Sequence, residues 1–303
     1  MENAVQSSGD APVLSILIPS YNYPEGVGRI LRALYPWDND ACEVVIADDS
    51  SDSGVADEVR DFIKISGQKI TYYSNFPPKG AVANWNSLVS GAHGKYCLLM
   101  HHDECPIAAN FTENLIRRIS ESPDVDVGVL DLILVREGSL TTIRHVPSYF
   151  RMFVLIYIPG YIFRRNVIGP VSSLVIRRSC FPKFNEQLRW LVDVDMYFRL
   201  IAKSNTICSW TDLNVLSIIN RTDSITARLA PGLQVCIGQE RGLLMQSYGD
   251  VVWLNEPARG MYAVALLYVF ESFFWNIFRV VQKIAKIFSG NILHKNSLKQ
   301  FFR

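Results

Sequence analysis

Three short apolar runs, each ending in a polar cluster, constrain this chain more than any other feature. Val13 to Ile18 (VLSILI) leads into Pro19, Ser20, Tyr21 and Asn22. Val44 to Ala47 (VVIA) leads into Asp48, Asp49, Ser50, Ser51 and Asp52. Tyr96 to Met100 (YCLLM) leads into His101, His102, Asp103 and Glu104. A run with no polar alternation reads as a strand covered on both faces. Between the runs the spacing turns helical: Val27, Ile30, Leu31 and Leu34 form one stripe between Pro24 and Pro36. Val55, Val59, Phe62 and Ile63 mark a second helix, and Val82, Trp85 and Val89 a third, with Ile70 to Tyr73 (ITYY) as a further strand. This alternation, from Val13 to about Ile119, predicts an α/β fold of βα units with a mostly parallel central sheet. Ligands of such sheets bind beyond the carboxyl ends of the strands, so the three polar clusters should converge on one rim.

After residue 125 the pattern shifts to strand candidates at Val127 to Val135, Val171 to Ile176 and Ile207 to Ile219, with one helical segment near Asp193 to Ala202. No Gly-, Ser- or Pro-rich linker separates this half from the first, which predicts one continuous domain or a closely packed second lobe. Thirty basic and twenty-nine acidic side chains nearly cancel, which argues against a general nucleic-acid binder that must neutralise a polyanion. The six cysteines form no CxxC pair, so neither a disulfide framework nor a cysteine zinc site is expected, and free, mostly buried thiols are. Residues 1–12 are polar and lack the cationic start and apolar stretch of a secretory signal, so a cytoplasmic location is expected.

The clusters leave several chemistries open. Asp48 and Asp49 would repel one another unless each finds a partner; one can accept from a base N–H or a ribose hydroxyl, or Asp48, Ser50 or Ser51 can cap the following helix. Tyr21 offers a face on which a nucleobase can stack. The HHDE run admits a transition-metal hydrolase, a divalent cation holding phosphate, or a polar turn. Neighbouring side chains leaving a strand point opposite ways, so His101 and His102 should not grip one ion. Asp103 suits Mg2+ or Mn2+ bridging to phosphate oxygens, and a histidine nitrogen beside it tilts the choice toward Mn2+. In WLVDVDMYFRL, Met196, Tyr197, Leu200 and Ile201 form the apolar side of a helix. Asp193 then lies near its start and Asp195 on another face. A carboxylate there serves as a cap or as a general base.

In order, ILIPSYN, VVIADDSSD, GAVANWNSLVSGAHGKYCLLMHHDE, IGPVSSLVIRR and WLVDVDMYFRL resemble glycosyltransferase family 2, the inverting nucleotide-sugar transferases of GT-A fold, over about Val13 to Thr226. The resemblance implies a Rossmann-like GT-A domain over 13–230, with a nucleotide-binding half at about 13–105 and an acceptor-binding half at about 106–230. A polar tail (1–12) precedes it and a helical extension (231–303) follows. It implies that Pro19, Ser20 and Tyr21 line the nucleotide pocket, that Asp49 bonds the base with Asp48 beside it, and that the Lys79 and Gly80 loop approaches the nucleotide. Asp103 takes the metal-binding aspartate of the DXD signature. Here His101 replaces the first aspartate, His102 intervenes on the nucleotide side, and Glu104 follows. Asp193 falls on the catalytic base and Asp195 on a second acidic position; Gly169 to Ser173 resembles the strand beside the acceptor pocket, and Arg221 would reach the diphosphate.

The partners so implied are Mn2+ or Mg2+, a UDP- or dTDP-linked donor, and a saccharide or lipid-linked acceptor in bacterial surface polysaccharide (O-antigen, capsule or exopolysaccharide) synthesis. The altered DXD also fits a nucleotide-sugar binding module that has lost catalysis. The tail adds a membrane question. Tyr262 to Phe278 is apolar and aromatic and leads into Arg279, Lys283 and Lys286. It is at the short limit of the roughly 17–25 residues that span a bilayer. An interfacial helix in peripheral contact with the inner membrane and a helix packed on the body are both consistent with it.

Overall fold

The computed structural model describes residues 11–136, 142–219 and 232–249. Arg221, residues 1–10 and the Tyr262 to Phe278 stretch lie outside the described residues. The chain divides into two compact units, Met1–Leu244 and Met245–Arg303. The elements below belong to the first, apart from the last turn of the final helix.

The first half alternates as its sequence predicts: β1 (Leu14–Ser20), α1 (Pro24–Leu34), β2 (Cys42–Asp48), α2 (Gly54–Ser66), β3 (Ile70–Ser74), α3 (Ala81–Gly91) and β4 (Tyr96–Leu99). Every residue of β1 is buried. Its Leu14, Ile16 and Ile18 share one apolar cluster with Val27, Ile30, Leu31 and Leu34 of α1 and Val55 and Val59 of α2. Leu17, one residue out of phase, lies outside that cluster, as a period of two requires; α3 packs on β1, β2 and β4. Each such fully buried aliphatic side chain contributes roughly 1.5–3 kcal/mol. α1 begins with Pro24 in its first turn, where a missing N–H costs nothing. α2 stops at Gly67, whose φ of 68° is left-handed and whose N–H donates to the carbonyl of Ile63 at 2.9 Å.

The second half comprises β5 (Glu104–Pro106), α4 (Phe111–Glu121), β6 (Val127–Arg136), β7 (Thr142–Arg144), α5 (Ser148–Tyr157), β8 (Leu174–Arg177), α6 (Val192–Lys203), β9 (Ile207–Ile219) and α7 (Leu233–Tyr248). Among the described residues the sheet runs β3-β2-β1-β4-β8-β6-β9-β5, with β7 also on β6. The first four strands are parallel. β8 runs antiparallel to β4 and β6, while β9 returns parallel to β6. The sheet is therefore parallel through β1 to β4 and changes direction at β8.

One strand starts later than its sequence predicts. Val171–Ser173 forms a 3-10 turn, and β8 begins at Leu174. The Ser173 hydroxyl donates to the carbonyls of Ile168 (3.1 Å) and Pro170 (2.7 Å), a local bonding pattern that competes with a strand ladder. Gly169 has a φ of 99°, and a Cβ there would lie 2.4 Å from Leu132, so glycine is required. All six cysteines are free; Cys42, Cys97 and Cys105 are buried and the other three partly exposed. No helix among the described residues is long and apolar enough to cross a membrane.

Candidate active site

The ends of β1, β2 and β4 stand side by side, with Ser20 in register with Asp48 and Leu17 with Leu99. Two of the three polar clusters are stitched together directly. The Asn22 N–H donates to Ser50 Oγ (2.7 Å), the Ser51 N–H to Asn22 Oδ1 (2.9 Å), and the Asp49 N–H to the Ser20 carbonyl (3.0 Å). Asn22 adopts a φ of 48°, the left-handed region that asparagine tolerates better than most residues.

The two aspartates do different work. Asp48 closes its own turn: Oδ1 accepts from the Ser50 N–H (3.0 Å) and hydroxyl (2.5 Å), and Oδ2 from the Tyr72 hydroxyl (2.7 Å). Asp49, 4% exposed, reaches outward along the chain. Its Oδ1 accepts from Asn75 Nδ2 (2.8 Å) and the Lys79 N–H (3.2 Å), and its Oδ2 from the Gly80 N–H (2.8 Å). A buried carboxylate needs such donors. Asn75 also donates to Asn84, and Asn84 to the Ala47 carbonyl (2.8 Å), so a buried polar chain fixes the loop ahead of α3. Gly80, with a φ of 84°, supplies the left-handed step into that helix. Pro19 and Ser20 are buried at the end of β1, while Tyr21 and the Lys79 side chain are exposed at the rim. Ser20 Oγ is buried without a hydrogen-bond partner among the described residues.

The HHDE run forms a turn closed by the Glu104 N–H donating to the His101 carbonyl at 3.0 Å. β9 holds it from the far side, its Ile218 N–H donating to the Asp103 carbonyl at 3.1 Å. The histidines diverge as strand geometry predicts. The His101 ring lies 4.8 Å from Trp85 of α3, and the His102 ring 5.4 Å from Tyr23 ahead of α1. α1 presses close: a Cβ on Gly26 would stand 2.2 Å from the His102 carbonyl oxygen.

Asp193 lies in the first turn of α6, two residues beyond its N-cap Leu191. It is half-buried, and its Oδ1 has no hydrogen-bond partner among the described residues. Burial pushes its carboxyl up to about 6, against the pull of His101 and with Glu104 adding to the rise. Burial works the other way on His101, but the carboxylates of Glu104, Asp103 and Asp193 overcome it and lift the ring to about 9. Asp193 thus sits within electrostatic reach of the HHDE turn although ninety residues separate them in the chain. Tyr197, one helical turn on, donates to the Gly169 carbonyl at 2.9 Å, which ties α6 to the Gly169–Ser173 segment. Asp195 turns away, as expected, and pairs with Arg199 at 2.5 Å.

One ligand atom each from His101, Asp103 and Glu104 lies within 4.8 Å of the others. Two carboxylates and one imidazole match a hard or borderline divalent cation such as Mn2+, and the buried His101 Nε2 has no partner among the described residues. These residues fit the expected cation. Asp103 was the sole ligand expected from sequence; His101 and Glu104 stand beside it because the turn folds back on itself, which spacing alone does not reveal. An open groove of about 340 Å³ between α1 and α2, lined by Arg32, Tyr35, Glu58 and Phe62, lies toward the opposite ends of those helices.

The glycosyl transferase family 2 profile matches residues 15–179, more than half of the chain. The chain belongs to glycosyltransferase family 2. An uncharacterised protein of Mycobacterium tuberculosis (strain CDC 1551 / Oshkosh) is 25% identical over 211 residues, covering 64% of this chain and 63% of that protein. The chain therefore spans less than two thirds of that relative's length. Among solved structures, S. aureus TarS 1-349 in complex with UDP-GlcNAc is similar at a TM-score of 0.57 and 15% identity, over 82% of this chain and 74% of that one. The mannosyltransferase PcManGT from Pyrobaculum calidifontis, in complex with GDP-Man and Mn2+, has a TM-score of 0.52 and 13% identity, over 86% and 81%. These likenesses identify the fold of this family 2 chain as GT-A.

Proposed function

We propose that this family 2 protein transfers a sugar from a nucleotide-diphosphate donor to a hydroxyl acceptor in one inverting step. The observation that carries the reading is the closeness of Asp193 to the His101–Glu104 turn, beside the loops that follow β1 and β2. In this reading Pro19, Ser20 and Tyr21 line the nucleotide pocket, and Asp49 orders the Lys79–Gly80 backbone against it. His101, Asp103 and Glu104 would hold the cation. When bound, that ion supplies positive charge where the departing diphosphate becomes negative.

Asp193, with its carboxyl held near the working pH, takes the acceptor proton on a carboxylate oxygen. The acceptor oxygen then bonds to the anomeric carbon as the carbon–phosphate-oxygen bond breaks with its electron pair, so configuration inverts and no sugar is attached to the protein. Burial around Asp193 keeps water from competing for that proton. A UDP- or dTDP-linked donor is the expectation, supported for UDP by the similarity to the TarS complex. The acceptor, a saccharide or lipid-linked saccharide of a surface polysaccharide, rests on the sequence resemblance.

The test is a thermal-shift panel of UDP-, dTDP- and GDP-sugars with Mn2+, followed by product analysis with the stabilising donor. A donor that binds the folded form raises the melting temperature. No stabilisation by any donor would discard the reading. The replacement of the first DXD aspartate by His101 favours a second one, a binding module without turnover; stabilisation by a donor with neither transfer nor donor hydrolysis under Mn2+ or Mg2+ would select it.

A further inference from the structure

α7 follows β9, beyond the family-matched residues, and buries only Glu240 and Leu244 among its described side chains. A charged residue at the contact face of a helix is costly unless its oxygens are fully bonded. Glu240 is 4% exposed, and its carboxylate meets three successive backbone N–H groups just ahead of α6. Oε1 accepts from Arg189 (2.5 Å) and Trp190 (3.2 Å), and Oε2 from Trp190 (3.1 Å) and Leu191 (2.7 Å). The Cys236 thiol, one turn back on α7, donates to Oε1 at 3.3 Å.

Three consecutive N–H groups aimed at one anion form a concave nest, and the start of α6 adds its dipole to the attraction. Leu191 is held on both sides: its N–H goes to Glu240, and its carbonyl accepts the first helical bond of α6, from Asp195, at 2.9 Å. Asp193 is the second residue beyond that anchored point.

We propose that Glu240 is a positioning residue for the transfer reaction: its carboxylate fixes the Arg189–Leu191 backbone and thereby sets where Asp193 stands relative to the HHDE turn. The proposal rests on the reading of Asp193 as base. Glu240 does not touch the reacting atoms and acts only through the helix start, so its loss should misplace the base without loosening the donor loops.

The experiment uses the full chain and the variants Glu240→Ala, Glu240→Gln and Asp193→Asn, alone and combined. Glu240→Ala should lower kcat at least ~10-fold while donor KM stays within about twofold, since small misplacements of a catalytic group are costly to turnover. Glu240→Gln keeps one accepting oxygen and should recover part of the loss. Adding Glu240→Ala to Asp193→Asn should cost nothing further. Amide hydrogen exchange should speed up at Arg189, Trp190 and Leu191 while the interior of α6 stays protected, a readout that needs no turnover. An unchanged kcat, a loss fully additive with Asp193→Asn, or global unfolding of both Glu240 variants would overturn the proposal. Full turnover by Asp193→Asn alone would instead remove the base reading and leave the exchange result standing.

Discussion

His101 meets Glu104 twice: its N–H donates to one carboxylate oxygen at 2.9 Å, and its Nδ1 lies 3.4 Å from the other. The same carboxylate thus shapes the turn and, in the proposed reading, would be a cation ligand. Glu104→Gln keeps the shape of the side chain and removes its charge. Mn2+ affinity, read by calorimetry on chelator-treated protein, should fall by about 10–100-fold. Equal affinity in the variant would strip Glu104 of any ligand role.

Asp193→Asn should reduce turnover by roughly 10²–10⁴-fold, the range for loss of a positioned general base. Binding of UDP with Mn2+ should stay within about twofold, because the nucleotide loops lie on other elements. Steady-state kinetics beside calorimetry checks both halves, and an Asn variant with wild-type kcat would exclude Asp193 as the base.

The raised carboxyl of Asp193 fixes the sign of two pH effects. The base works as carboxylate, so kcat/KM should drop as pH falls through about 6. For stability the sign is opposite. The folded carboxyl titrates near 6 instead of 3.8, so the folded state holds its proton more tightly than the unfolded chain. Ionising it costs stability as pH climbs between those values, and the cost is constant above them. In metal-free buffer, Asp193→Asn should therefore melt higher than the parent at pH 8 and lose that advantage near pH 4. A stability difference that ran the other way would contradict the environment described for this carboxyl.

Asp49→Ala removes the acceptor of three internal donors. Leaving buried N–H groups unpaired costs roughly 1–3 kcal/mol, and the Lys79–Gly80 backbone should loosen. Both a lower melting temperature and a higher donor KM are expected, with faster amide exchange at Lys79 and Gly80. Normal protection at those amides would mean the loop is held by something else.

Two glycines of α1 offer a paired test of the rim. At Gly26 a Cβ collides with the His102 backbone carbonyl, whereas at Gly28 it meets the ends of the Glu58 and Arg32 side chains, which can swing away. Gly26→Ala should displace the HHDE turn and depress Mn2+ binding; Gly28→Ala should be well tolerated. Similar metal titrations for the two variants would count against close packing of α1 on that turn.

Strands covered on both faces announce themselves, which is why β1, β2 and β4 were legible as apolar runs and their polar ends as one rim. The long β9 and the helix carrying Asp193 were equally plain, from thirteen residues of strand pattern and a clear apolar stripe. The three-residue β5 and β7 are too short to carry a period. The reversal of direction at β8 depends on which edge the chain returns to, a choice made by tertiary packing. Asp49 was expected to face the base; two of the three bonds it accepts come from the backbone N–H groups of Lys79 and Gly80, which every residue but proline owns and no sequence pattern marks. The bonds of Glu240 escaped notice for the same reason, and those of Asn75 and Asn84 because buried amides look like surface ones when only their spelling is known.

β4 ends and β8 begins at the same rim because the two run in opposite directions. Two unrelated lengths of chain therefore deliver their loops to a shared bank from opposite shores, one before β5 and one after α5. In the proposed reading, drift in the later length would reshape the acceptor side without disturbing the earlier length that would hold a nucleotide. A lineage built on this plan can diversify its products while its currency stays the same.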